Sequence, residues 1–273
     1  GLPLYGAEPG GLALLQLAPL DLKQAEVIKG PATAFYGSSA LGGVLNLISR
    51  RPGDGQRTLA LNRTSAGGTD GLYWGGERLS PSAGFTIFAD AHHQELSDIS
   101  GDRWADYPRF TRFSLRPRVF LDRPNGDQFY ATIGARAENR TGGFTTPGGY
   151  RETLTNRHLD GGLIYRRALQ GNGQLTVRGS AMLERDDRDF GGALERNRRH
   201  TTLAELSWSD RRGKVDWVVG GALQDEALTA RDVKGVSYDY LTPAGFAQLG
   251  LSPSQAFGAS LALRCDGHDT YGT

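Results

Sequence analysis

Leu22-Lys23-Gln24-Ala25-Glu26-Val27-Ile28-Lys29-Gly30-Pro31, continuing Ala32-Thr33-Ala34-Phe35-Tyr36-Gly37-Ser38-Ser39-Ala40-Leu41-Gly42-Gly43-Val44-Leu45-Asn46-Leu47-Ile48-Ser49-Arg50-Arg51-Pro52, is the stretch on which the fold turns. Glu26-Val27-Ile28 reads as a short strand. Gly30-Pro31 stops it, because proline has no amide to give a ladder and glycine permits backbone angles that other residues avoid. Tyr36-Gly37-Ser38-Ser39 is turn chemistry. Leu41 to Ile48 reads as a second, buried strand whose Gly42-Gly43 pair admits a close backbone neighbour. A phosphate-cradling loop would also concentrate Gly and Ser, but no Gly-Lys-Ser/Thr ending is present. The residues after the glycines are apolar and β-prone, and do not form an amphipathic helix.

Taken in order, Glu26-Val27, Gly30-Pro31, Tyr36-Gly37, Gly42-Gly43 and Asn46 resemble the end of the plug domain of TonB-dependent outer-membrane receptors. The resemblance implies an all-β protein: a partial antiparallel transmembrane β-barrel, about 11 of 22 strands, with the C-terminal part of an N-terminal plug lodged in the lumen. Residues 1–52 would then be plug and residues 53–273 the first half of the barrel. One departure from the family pattern is Gln24-Ala25, where relatives commonly carry Arg-Ile. It removes a basic group that in relatives can pair with barrel carboxylates.

The rest of the chain leads to a barrel without that motif. After Pro52 the pattern has period two. Phe85, Ile87, Ala89 and Ala91 alternate with Thr86, Phe88, Asp90 and His92, and Leu175, Val177, Gly179, Ala181 and Leu183 alternate with polar partners. Strands are expected at 57–64, 70–80, 83–95, 109–121, 127–140, 157–168, 173–186, 199–209, 214–227, 241–249 and 255–266, several long enough to cross a bilayer at a tilt. Tight turns around Pro81, Asn125-Gly126, Gly171-Asn172, Arg212-Gly213 and Pro253 alternate with longer links at 96–108, 141–156, 187–198 and 228–240. Such alternation is what an outer-membrane barrel requires, with short periplasmic turns and long external loops. Eleven strands leave open edges that lipid cannot satisfy, so strands beyond Thr273 and plug residues before Gly1 are expected.

Composition narrows the function. Gly is 39 of 273 residues, about twice the usual share, and 31 basic residues against 30 acidic leave a net charge of +1, which gives no electrostatic footprint for nucleic acid. Cys265 is the one cysteine, so no internal disulfide and no thiolate metal site can form. The mean hydropathy of -0.42 reflects alternating strands rather than solubility. The amino end has no signal-peptide pattern. No catalytic motif is present, and neither a metal nor a cofactor is implied. His92-His93 cannot share one ion, because neighbouring strand residues point to opposite faces.

The resemblance implies energised uptake of a scarce, bulky nutrient across the bacterial outer membrane. A ferric siderophore comes first, with cobalamin and haem as other ligands and a passive porin or structural surface barrel as the alternative. Its partners would be TonB, reached through an upstream segment, the iron-siderophore, and outer-membrane lipid and lipopolysaccharide. Loop parity makes Arg103, Trp104, Tyr107, Phe144, Tyr150 and Arg151 candidate ligand-facing residues, the aromatics for stacking and the arginines for an anionic ligand. The plainer reading places the aromatics in an interfacial girdle and the arginines in solvated loops. Arg196-Asn197-Arg198-Arg199 reads as a loop edge of the kind that can meet lipopolysaccharide phosphates or acidic ligands.

Overall fold

The protein is described from a computed structural model, in which residues 2, 19–29, 44–53, 55–254 and 257–268 are placed. Most of the plug motif, Gly30, Pro31, Tyr36, Gly37, Gly42 and Gly43, lies outside these residues. A 3-10 turn, Pro19–Asp21, leads into β1 (Leu22–Ile28), which pairs antiparallel with β2 (Val44–Ser49). Glu26 lies opposite Asn46, and the Asn46 amide donates to the Glu26 carboxylate at 3.0 Å.

Eleven strands form the second sheet: β3 (Gln56–Arg63), β4 (Gly68–Ser80), β5 (Ala83–Gln94), β6 (Arg109–Asp122), β7 (Gln128–Gly143), β8 (Arg151–Ala168), β9 (Gln174–Phe190), β10 (Ala193–Arg212), β11 (Val215–Ala230), β12 (Tyr238–Ser254) and β13 (Phe257–Asp266). Each is antiparallel to the next in simple sequence order. Among the described residues β3 and β13 remain the sheet edges, and the barrel is not closed.

The polarity of this sheet is inverted relative to a soluble protein. Leu61, Ile133, Leu159, Leu183, Leu206 and Leu263 point outward and are exposed, while Asp90, Arg118, Arg136, Glu138, His158 and Asp160 are buried on the other face. Large exposed apolar surface ordinarily marks an interaction site. A band running over so many strands is the lipid-facing pattern of a transmembrane barrel. Trp208 and Trp217 meet edge to face, 4.9 Å apart, near the tight β10–β11 turn, where an interfacial aromatic girdle belongs.

Three of the expected long links are shorter than the sequence suggested, the 228–240 link shrinking to residues 231–237. The 187–198 segment is mostly strand, closed by a two-residue turn at Gly191 and Gly192, whose φ values of 67° and 104° suit the left-handed turn such hairpins use. The 141–156 link shrinks to residues 144–150. β7 to β10 hold 16 to 20 residues, more than the roughly 9 to 11 that cross a bilayer.

The segment between β2 and β3 is tied to the polar inner face of the wall. The Arg50 guanidinium lies 3.8 Å from the centre of the Trp74 ring, and its backbone amide donates to the Asp21 carbonyl at 3.0 Å. Arg51 donates to Asp122 at 2.5 Å. Pro52 rests where a β-carbon on Gly84 would come within 2.7 Å of its ring, so glycine is needed there for the close approach.

Candidate functional site

The long-loop end of the sheet brings three of the six expected ligand-facing residues together. Trp104, from the β5–β6 loop, stacks on Tyr150 with centroids 5.9 Å apart and meets Phe144 edge to face at 5.3 Å. Phe144 and Tyr150 sit at the two ends of the β7–β8 loop, and the Phe144 amide donates to the Tyr150 carbonyl at 2.8 Å. The Gly191 amide donates to the Arg151 carbonyl at 3.0 Å, and a β-carbon at Gly191 would strike the Tyr150 ring, so the β9–β10 turn closes over the same cluster. All three aromatics remain about two-fifths exposed. That combines packing with an open face, the arrangement from which an aromatic surface stacks on a ligand.

Carboxylates hold the Trp104 loop in place. Asp98 accepts from the Gly101 and Arg103 amides at 2.7 and 2.9 Å, Asp102 from the Trp104 amide at 2.8 Å, and Asp106 from the Ile99 and Ser100 amides at 2.7 and 2.8 Å. The Ser100 and Ile99 amides keep the Asp106 carboxyl below its ordinary value. Arg103 is the one non-glycine residue of positive φ, 72°, among those described. Its carbonyl accepts from the Thr145 amide at 2.9 Å, which locks this strained residue to the neighbouring loop. Burial and the Glu152 carboxylate, which accepts from the phenol at 3.1 Å, raise the Tyr150 pKa and keep it neutral.

The other three candidates do not take part in the ring stacking. Tyr107 bridges back to Ser97, and Arg103 and Arg151, next in sequence to Trp104 and Tyr150, are exposed.

Below the cluster the inner wall carries a charge network that joins residues of successive strands. Successive strands place Asp90, Ser114, Arg136, His158, Glu184 and Arg199 directly opposite one another. His158 bonds Asp160 at 3.0 Å and lies 3.5 Å from Glu184, while Asn156 donates to Glu184 at 3.0 Å and to Asp186 at 2.7 Å. Arg116 reaches across β7 to Asp160 with two bonds of 2.7 and 2.6 Å, running over Gly134, where any side chain would collide with the guanidinium. Arg118 meets Asp21 with bonds of 2.6 and 2.5 Å. The sequence signal for this face was the polar residue at every second position; its pairing needed the register. His92 and His93 diverge as expected, His92 stacking on Phe110 at 4.5 Å and His93 bonding Thr111 and Glu95 at 3.1 and 3.0 Å. Among the described residues no group of three or more His, Cys, Asp or Glu is disposed to hold a metal.

Comparison with known proteins places this geometry. The profile of the TonB-dependent Receptor Plug Domain matches residues 1–44. The chain is 53% identical over 36 residues, 13% of its length and 5% of the relative's, to the ferric enterobactin receptor PirA of Pseudomonas aeruginosa. It is 35% identical over 74 residues, 27% of the chain and 12% of the relative, to the vitamin B12 transporter BtuB of Photobacterium profundum. The crystal structure of the siderophore receptor PirA superposes with a TM-score of 0.72 at 17% identity, over 94% of this chain and 45% of that one. The ferric-catecholate import receptor Fiu of E. coli K12 gives 0.70 at 14%, over 92% and 50%. The chain thus spans about half the length, or less, of the structures it matches, and the likeness is one of fold.

Proposed function

We propose that this chain is part of a TonB-dependent receptor, and that the protein to which it contributes takes up a ferric siderophore across the bacterial outer membrane, driven through TonB. Residues 1–52 serve as plug and residues 53–273 as the first half of the wall. Trp104, Phe144 and Tyr150 offer the aromatic face on which an aromatic iron chelate stacks, and Arg103 and Arg151 meet its negative charge. The observation that carries the reading is the convergence of these three rings at the long-loop end of a wall whose inner face grips Asp21 and Arg50. Glu26, Val27 and Asn46 hold the small sheet of the plug in register. The protein acts as a receptor, not an enzyme.

Cobalamin is the second reading, supported by the longer matched stretch shared with a vitamin B12 transporter. Growth of a receptor-deletion strain on single iron chelates and on cobalamin separates the two. Loss of growth on one ferric siderophore, with cobalamin use intact, supports the proposal. Unchanged growth on every siderophore with lost use of cobalamin overturns it.

A further inference from the structure

Three tight turns, at residues 123–127, 169–173 and 213–214, lie side by side at the end of the wall opposite the ring cluster. Hydrogen bonds tie each to the strands beside it. Asp127 accepts from the Ala168 amide at 3.0 Å and from the Tyr165 phenol at 3.3 Å, which fastens the first turn to the end of β8. The Asn172 side-chain amide donates to the Arg211 carbonyl at 3.1 Å, fastening the second to the end of β10. The Ser252 amide donates to the Lys214 carbonyl at 2.8 Å, fastening the third to β12. Adjacent strands are about 4.8 Å apart, so successive turns repeat at about 10 Å along a fixed rim.

This rim carries more positive charge than its carboxylates take up. Arg123, Arg167, Arg211, Arg212 and Lys214 are all exposed. Among the described residues Arg123, Arg167 and Lys214 make no side-chain ion pair. Asp127, the carboxylate of the first turn, is buried and spends its oxygens on Ala168, Tyr165 and Asn125. Arg212 reaches Asp210 at 3.0 Å, whereas Arg211 stands 3.8 Å from Asp216 with both groups open to water, a pair of little worth. Arg123 and Lys214 sit past the last residues of their strands, in the turns themselves, and so address the aqueous side rather than lipid.

We propose that this rim binds the carboxylate-bearing stem peptides of the peptidoglycan cell wall. A fixed row of cations at regular pitch is complementary to a polymer that carries its carboxylates at regular pitch, one stem to each disaccharide. Each pair alone is weak in water, and several engaged at once add through avidity. Because the turns are already held, little ordering is left to oppose binding. The inference rests on the outer-membrane placement proposed above, which turns the short links toward the periplasm.

The test uses the full-length receptor, purified from outer membranes in mild detergent, checked for folding by heat-modifiable migration and sedimented with purified sacculi. Wild type sediments at low ionic strength and is released at about 0.5 M salt, where charges at the surface are screened. Sacculi whose carboxylates have been converted to neutral amides do not carry it down. R123Q/R167Q/K214Q binds sacculi tenfold or more weakly, whereas R198Q/R231Q/K234Q, which removes the same charge toward the long-loop end, binds as wild type does. Should the first triple variant fail to fold, K214Q alone is expected to bind several-fold more weakly. Equal binding by wild type and both triple variants, or undiminished binding to amidated sacculi, overturns the site, while unchanged siderophore uptake by the same variants leaves the transport reading intact. Displacement by short-chain phosphatidylglycerol but not by an acidic peptide assigns the rim to lipid and overturns it as well. Absence of the receptor from the outer-membrane fraction overturns both.

Discussion

Asp21, just ahead of the two-stranded sheet, and Arg118, on the inner face of the wall, are joined by two parallel bonds of 2.6 and 2.5 Å, and both side chains are buried. The contact links parts of the chain 97 residues apart. It also reverses the sense of anchoring expected from the Gln24-Ala25 departure: the carboxylate comes from the plug side and the guanidinium from the wall. Breaking one side of a buried pair leaves the other charge uncompensated.

Asp21→Asn is therefore expected to weaken the seating of the plug by about 3 kcal/mol, and the charge-swapped double variant D21R/R118D to recover part of the loss. Protection of plug amides in hydrogen exchange, measured on the full-length receptor, reads the effect. Unchanged protection in D21N would show that the pair contributes nothing.

Gly134 is the passage by which Arg116 crosses β7 to Asp160. Gly134→Val should displace the guanidinium and cost about 2 to 4 kcal/mol in urea unfolding, since a buried charge pair is separated. In an R116A background the same substitution should cost much less, and a double-mutant cycle measures the difference. Additive losses would refute the crossing argument.

Removing one ring from the cluster should weaken ligand binding more than removing a ring outside it. Trp104→Ala is expected to weaken ferric-siderophore binding about tenfold, and Tyr107→Ala by less than half that factor. Equilibrium titration of the full-length receptor with the iron-loaded chelate makes the comparison. Equal effects would remove the reason to single out the cluster.

The Trp104 loop should open in acid. Asp106 has its carboxyl held below the ordinary value by the Ser100 and Ile99 amides, so its contribution is fully present above about pH 4 and is lost as pH falls through the lower folded value. Trp104 emission should shift over that acidic range in the wild type, while Asp106→Asn should lack that component. A shift of equal size in the variant would assign the transition to another group.

The wall was legible because period-two alternation and turn residues are local signals. All eleven strands fall where the pattern placed them, within a few residues at most ends. Most exceptions lie at the long-loop end; β12 departs at the other, running on through Pro253 where a tight turn is expected. Where both faces of a strand meet water the apolar half of the alternation disappears, and residues 187–198 read as loop although all but Gly191 and Gly192 are strand. Trp104, Phe144 and Tyr150 were legible as loop aromatics, whereas Tyr107 carried the same signal without joining them. Arg116 with Asp160 was not legible, because it depends on cross-strand register.

Uptake of a radiolabelled ferric siderophore by cells that carry the full-length receptor, with and without TonB, tests the central claim most directly. The account predicts that removing TonB abolishes accumulation inside the cell while binding at the surface persists. Accumulation at the same rate in both strains would contradict it and leave a passive pore.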